Sequence, residues 1–258
     1  MNAARFTYIG GPTALIELAG LRFLTDPTLD PGGTAYPTPV YTLHKTQSPA
    51  LTADSLDGID VVLLSHDHHF DNLDHAGRAS LASAQSVLTT QAGAERLGGN
   101  AVGLAPWESH TLRSSNSGEL TVTATPARHG PENGDRGPVI GFVLQSSAAA
   151  DPVIYFSGDT VWYEGVAEVG QRFDIDVAVL NLGAARVAVA GPHDLTFSAE
   201  DAVALAQAWP RVTIIPLHYE GWTHFTEGRA EVSAVFAAAG LSDRIRWPIA
   251  GQATPMSG

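Results

Sequence analysis

Short runs of β-branched and aromatic residues, bounded by Gly, Pro and Asp, recur through the first two thirds of the chain and predict strands. They fall at residues 6–9, 14–17, 21–25, 61–64, 87–89, 120–125, 139–144, 153–156, 177–181 and 211–215. Helical patterns are fewer and come later. Residues 198–209 open with a Ser-x-x-Asp capping signature, Ser198 with Asp201, and stop at Pro210; residues 229–239 stop at Gly240. Residues 26–60 hold Pro27, Pro31, Pro37, Pro39 and Pro49 with Tyr36 and Tyr41, too long and broken for a simple connection. A lid or substrate loop is expected there, with a surface excursion packed on its own tyrosines as the alternative. No repeat or linker divides the chain, so residues 1–258 read as one domain.

Composition narrows the class. With 44% hydrophobic and 16% charged residues, and no apolar run long enough to span a bilayer, the chain reads as globular. The start, Met1-Asn2-Ala3-Ala4-Arg5-Phe6, lacks the apolar segment of a secretory signal, and a cytoplasmic location is expected. A net charge of −13 disfavours nucleic acid, and neither a basic amphipathic helix nor an apolar extension favours a membrane. The expected partner is a small-molecule substrate, with a homo-oligomer left open. Lys45 is the sole lysine and sits in a Pro-rich stretch, which argues against Walker-type phosphate binding and Schiff-base chemistry. The absence of cysteine excludes disulfides, thiolate nucleophiles, iron–sulfur clusters and Cys-ligated zinc, leaving 10 histidines and the carboxylates to hold any metal.

Those donors cluster at strand ends. The apolar strand at residues 61–64 runs into Ser65-His66-Asp67-His68-His69-Phe70-Asp71-Asn72-Leu73-Asp74. Imidazole mixed with carboxylate suits zinc, manganese or iron better than magnesium or calcium. Three further strands end in Arg128-His129-Gly130, in Ser157-Gly158-Asp159, where glycine permits the sharp turn, and in Leu217-His218-Tyr219.

In that order the sequence resembles the metallo-β-lactamase-fold hydrolases. Leu24-Thr25-Asp26-Pro27, Ser-His-Asp-His before Asn-Leu-Asp, Tyr-Phe-Ser-Gly-Asp-Thr and Pro-Leu-His-Tyr resemble the branch containing ascorbate-phosphate lactonases and N-acyl phosphatidylethanolamine phospholipase D. The resemblance implies an α/β fold, a four-layer αβ/βα sandwich with a metal site at one edge of two packed sheets. It also implies a metal-dependent hydrolase of a small ester, lactone or phosphodiester, in which one or two divalent cations supply hydroxide from bound water. Zinc is the first expectation, with manganese or iron as alternatives. An iron-dependent redox enzyme and a non-catalytic binding protein with a degraded second site are the competing readings.

The family pattern His-x-His-x-Asp-His is interrupted here by one inserted residue, and Asn72 stands where its last histidine belongs. Carried over residue by residue, the first metal has His66, His68 or His69, and His129, with Asp159 bridging. The second has Asp71, Asp159 and His218, with Asn72 offering a weak amide oxygen, so the second site is expected to be the weaker. Asp71 would orient water, and His193 or bound water would protonate the leaving group. His224 is placed near the same pocket, Tyr219, Trp222 and Phe225 as a candidate apolar wall, and His44, His75 and His110 in surface or structural roles.

Overall fold

In the computed structural model, which describes residues 4–114, 118–132 and 136–256, the chain combines short strands with short helices. The first sheet and its excursions comprise β1 (Arg5–Gly10), β2 (Thr13–Leu18), β3 (Leu21–Thr25), the hairpin β4 (Ala35–Pro37) and β5 (Thr42–His44), β6 (Val61–Leu63), α1 (His75–Ser80), β7 (Ser86–Thr90), α2 (Gln91–Leu97) and β8 (Ala101–Leu104). Then follow β9 (Ser109–Ser114), β10 (Gly118–Pro126), β11 (Ile140–Ser146), β12 (Ile154–Phe156), α3 (Glu164–Arg172), β13 (Val177–Asn181), α4 (Ala199–Ala208), β14 (Thr213–Leu217), α5 (Arg229–Ala238) and β15 (Ala253–Pro255). One sheet runs in the order β15-β1-β2-β3-β6-β7-β8, the other β14-β13-β12-β11-β10-β9. The residues Met1–Ala3, on which the leaderless start was read, lie outside the described segments.

The continuously apolar strands divide their side chains between two cores. Val61 and Leu63 point between the sheets, while Val62 and Leu64 pack outward with Leu56, Leu73 and Leu81. Val177 and Val179 likewise face Phe142 and Phe156 between the sheets, and Ala178 and Leu180 face the helices with Phe197, Leu205 and Phe236. Each strand is thus buried on both faces, which is why the period-2 alternation is hidden in its sequence. The result is the expected four-layer αβ/βα sandwich. At α4 the predicted cap is realised: the Ser198 side chain accepts from the Asp201 N–H and the Asp201 carboxylate from the Ser198 N–H. Among the described residues no helix is long and apolar enough to cross a membrane.

Residues 26–60 are pinned to the domain rather than hanging from it. The Lys45 ammonium is buried, 2.9 Å from Asp74 and 2.8 Å from the Thr28 carbonyl, so the one lysine has a structural partner. Tyr36 is buried against Phe70 and Trp222, with ring centroids 4.9 and 5.4 Å away, whereas Tyr41 reaches the cleft beside the histidine cluster. The segment therefore packs on Tyr36, as the excursion alternative has it, and also walls the site through Tyr41.

Candidate metal centre

Strands β3, β6 and β7 are parallel neighbours, as are β12, β13 and β14. Their C-terminal ends gather Asp26, His66, Asp159, Asn181 and His218, and the end of β10 adds His129. Gly158 holds φ at 57°, and a Cβ there would lie 2.6 Å from Ser65 Cβ and 2.8 Å from the Ile140 carbonyl. Only glycine lets the β12 turn approach β6 this closely. Asp26, Ala184 and His218, all buried, also take positive φ of 25°, 43° and 56°, the kind of backbone strain that collects at functional sites.

The donors fall into two groups. In the first, His69 Nδ1 lies 3.0 Å from His66 Nε2 and 3.1 Å from His129 Nε2. The hydrogen-bond network assigns the tautomers of the outer two. Ser65 donates its only hydroxyl proton to Asp26 Oδ2 at 2.7 Å, so its Oγ accepts from His66 Nδ1 at 2.9 Å. His129 Nδ1 donates to the Leu195 carbonyl at 2.7 Å. Both Nε2 atoms therefore carry lone pairs aimed at His69 Nδ1. Burial, then the neighbouring imidazoles, hold His66 and His69 well below the usual histidine range, so they are neutral. Neutral nitrogens converging so closely are arranged to share a cation, since a single N–H cannot satisfy two acceptors.

The second group is Asp71, His218 and His224, whose donor atoms lie within 4.8 Å of one another. Asp71 Oδ2 accepts from His224 Nε2 at 2.9 Å and lies 3.6 Å from His218 Nε2. Burial disfavours the Asp71 charge, but His224 and His218 outweigh it and its carboxyl is held well below the usual range. Burial likewise opposes charge on His218, and Asp159 and Asp71 together overcome it, raising its pKa. Both nitrogens of the fully buried His218 lack hydrogen-bond partners, as does His224 Nδ1. Asp159 stands between the groups. Its Oδ1 accepts from Asn181 Nδ2 at 2.8 Å and lies 3.4 Å from His218 Nδ1; its Oδ2, without a partner, is 3.8 Å from His129 Nε2. Buried polar atoms left unpaired are costly, and here they lie where a divalent cation would satisfy them.

Around the inserted residue, His66, His68 and His69 offer donor atoms within 4.8 Å of one another. His69, not His68, meets both His66 and His129. Although the His68 ring touches the edge of the first group, its Nε2 donates outward to the Arg136 carbonyl at 3.0 Å and the residue is exposed. His193 is exposed in a loop and makes no hydrogen bond or ion pair with the described residues; of its neighbours, the Leu195 carbonyl accepts from His129 and Asp194 pairs with Arg186. Asn72 is fully buried; its Nδ2 donates to Asp26 Oδ2 at 3.0 Å, and its Oδ1 has no partner among the described residues. The residue beside Asp71 and His218 is His224, neither Asn72 nor a spare member of the His68–His69 pair.

Trp222 and Phe225 join Tyr36, Val187 and Leu195 in an apolar cluster beside the site, but Tyr219 turns the other way and packs on Tyr8 and Trp247. His44 and His75 are exposed and His110 is half-buried on β9. Sequence reasoning missed Asp26 as a site residue. Burial pushes its carboxyl up to about 7 despite hydrogen bonds from Ser65 and Asn72. The signal lay in the Thr-Asp-Pro run ending a buried strand.

Residues 21–219 match the family model of the β-lactamase superfamily domain, and the chain belongs to that family. It is a metal-dependent hydrolase. The UPF0173 protein YddR of Bacillus subtilis is 27% identical over 260 residues, covering 95% of this chain and 97% of that one. A UPF0173 metal-dependent hydrolase of Pelotomaculum thermopropionicum is 30% identical over 203 residues, covering 73% and 80%. Among solved structures, the isothiocyanate hydrolase from Delia radicum gut bacteria superposes with a TM-score of 0.81 at 24% identity, over 98% of this chain and 100% of that one.

Proposed function

We propose that the chain hydrolyses a small ester, lactone or phosphodiester at a two-metal centre, with zinc as the metal. His66, His69 and His129 form one ligand group, Asp71, His218 and His224 the other, and Asp159 faces both. The observation that carries this reading is the set of lone pairs and unpartnered buried atoms described above, which a pair of cations satisfies and which hydrogen bonds within the protein do not.

Bound zinc would bring the pKa of a coordinated water near neutrality and polarise the substrate oxygen. The chain's own residues do the rest. Ser65 and the Leu195 carbonyl fix the rings of His66 and His129, so their lone pairs need no reorientation. Asp71 holds its charge against burial, and Asp159, placed between the two groups, offers a second carboxylate to two cations. Leu43, Ala185, Val187 and Leu195 line the cleft over His69 and His224, limiting the water around the reacting bond.

The test is metal analysis of Asp159→Asn together with a screen of lactones, esters and phosphodiesters. Removing the charge that faces both groups is expected to lower zinc content and cut hydrolysis by more than the roughly 100-fold that loss of an outer-sphere partner costs. Full activity in the variant, or no hydrolysis of any such substrate by zinc-loaded wild type, would overturn the reading.

A further inference from the structure

Among the described residues, the cleft over the two donor groups contains one cation with no counter-ion. Arg136 lines it together with Tyr41, His69, Asp71, His129 and His224. Its backbone locks it to the centre: its N–H donates to the His129 carbonyl at 3.0 Å, and its own carbonyl accepts from His68 Nε2. Its side chain is held from the opposite wall, where Nη2 donates to the Tyr41 hydroxyl oxygen at 3.0 Å. Several donors then remain unused. Arg136 Nε is buried without a partner, and the Tyr41 hydroxyl hydrogen finds no acceptor among the described residues.

A guanidinium cannot shed its charge. Among the described residues no carboxylate pairs with Arg136, and the one acid of the cleft lining, Asp71, is engaged by His218 and His224. Divalent cations bound at the two groups would add positive charge beside it. In a chain of net charge −13, this mouth is a local positive well, open only to a ligand that brings its own negative charge.

We propose that Arg136, steadied by Tyr41, is an anion-recognition subsite and that the substrate carries a carboxylate or phosphate next to the bond that is cleaved. The fixed fork of Arg136 suits either oxyanion. The apolar cluster of Val187 and Leu195 on the facing wall would take the uncharged part of the molecule. The proposal rests on the two-metal reading above and narrows its substrate class.

Two measurements on zinc-loaded protein test it separately from that reading. The first titrates monomethyl succinate and inorganic phosphate into wild type and Arg136→Gln by calorimetry. The variant should bind the favoured anion roughly 10- to 100-fold more weakly, the range for a charge-assisted hydrogen bond, with zinc content unchanged; which anion loses more identifies carboxylate or phosphate. The second compares 4-nitrophenyl hemisuccinate with 4-nitrophenyl butyrate, esters differing in one carboxylate. The ratio of kcat/KM for charged over neutral ester should fall by the same factor in Arg136→Gln, chiefly through KM, and Arg136→Lys should recover part of it. Equal anion affinity in wild type and Arg136→Gln, or an unchanged ester ratio, would overturn the subsite. Hydrolysis of neither ester by wild type would count against the ester reading of the function, and the anion titration would still decide the subsite. If Arg136→Gln fails to fold, Tyr41→Phe and Arg136→Lys decide by the same ratio.

Discussion

The two donor groups sit side by side under one cleft yet are built differently. His66 and His129 are each held by a hydrogen bond that the far nitrogen donates, to Ser65 backed by Asp26 and to the Leu195 carbonyl. Asp71, His218 and His224 rest on one another: both nitrogens of His218 and Nδ1 of His224 have no hydrogen-bond partner among the described residues. The first group is preformed by neutral imidazoles on strand ends; the second is kept together by opposite charges. A preformed group binds metal without reorganising, whereas the second must give up its internal Asp–His pairing first. The first site should therefore bind more tightly, the outcome expected from the sequence, with the internal Asp–His pairing of the second group as a further reason.

The strongest test of this contrast pairs His69→Ala with His224→Ala. Loss of His69 should leave less than one tightly held zinc and weaken the first site by more than about 100-fold. Loss of His224 should leave one zinc tightly held and remove only the exchangeable one, as read by zinc titration with a competing chelator. Equal losses in the two variants would erase the distinction.

Ser65→Ala should act more mildly and on one side only. Without the hydroxyl, the His66 tautomer is no longer fixed, and affinity of the tighter site should drop about 10- to 100-fold while the weaker site is unmoved. A loss shared by both sites would mean that Ser65 serves packing rather than ring orientation.

The smallest effect is on stability against pH in chelator-treated protein. His66 and His69 stay neutral in the fold, whereas the unfolded chain takes up protons below the ordinary histidine pKa of 6.5, so stability falls as pH drops below that value. Each contributes a slope of about 1.4 kcal/mol per pH unit. Asp26, raised to about 7, works the other way between 3.8 and 7, because the folded form keeps a proton that the unfolded form has lost. His218, whose pKa is raised, loses its contribution as pH rises above 6.5. Two histidines outweigh one carboxylate on the acid side, so urea midpoints should peak near pH 6.5. A monotonic rise from pH 5 to 8 would contradict the charged pairing of the second group.

Much of this was readable from the chain. The strands predicted at residues 21–25 and 177–181 match β3 and β13 residue for residue, because interior strands flanked by turn formers announce themselves by composition. Five strands escaped: β4 and β5, three residues each inside the Pro-rich stretch, and β8, β9 and β15, which are sheet edges where the apolar signal is thin; β9 reads Ser-His-Thr-Leu-Arg-Ser. The helices α1 and α2 have 6 and 7 residues and each buries a single glycine within its span, too little for an apolar stripe. At the site, the four strand-end donors His66, His129, Asp159 and His218 converge as their order implied. The choice between His68 and His69 was not legible, because an inserted residue in a turn can be absorbed on either side. His224 was legible as a neighbour of the pocket but not as a member of a donor group, because its placement depends on Trp222 packing against Tyr36 and on the Arg186 N–H donating to the His224 carbonyl, contacts between segments far apart in sequence.

The central claim is that His69 and His224 complete two adjacent metal sites. Anomalous scattering at the zinc edge, from crystals of zinc-loaded protein, tests it most directly. The account predicts two peaks, one among His66, His69 and His129 and a weaker one among Asp71, His218 and His224, with Asp159 touching both. A peak ligated by His68 or Asn72, with His69 or His224 turned away, would contradict it.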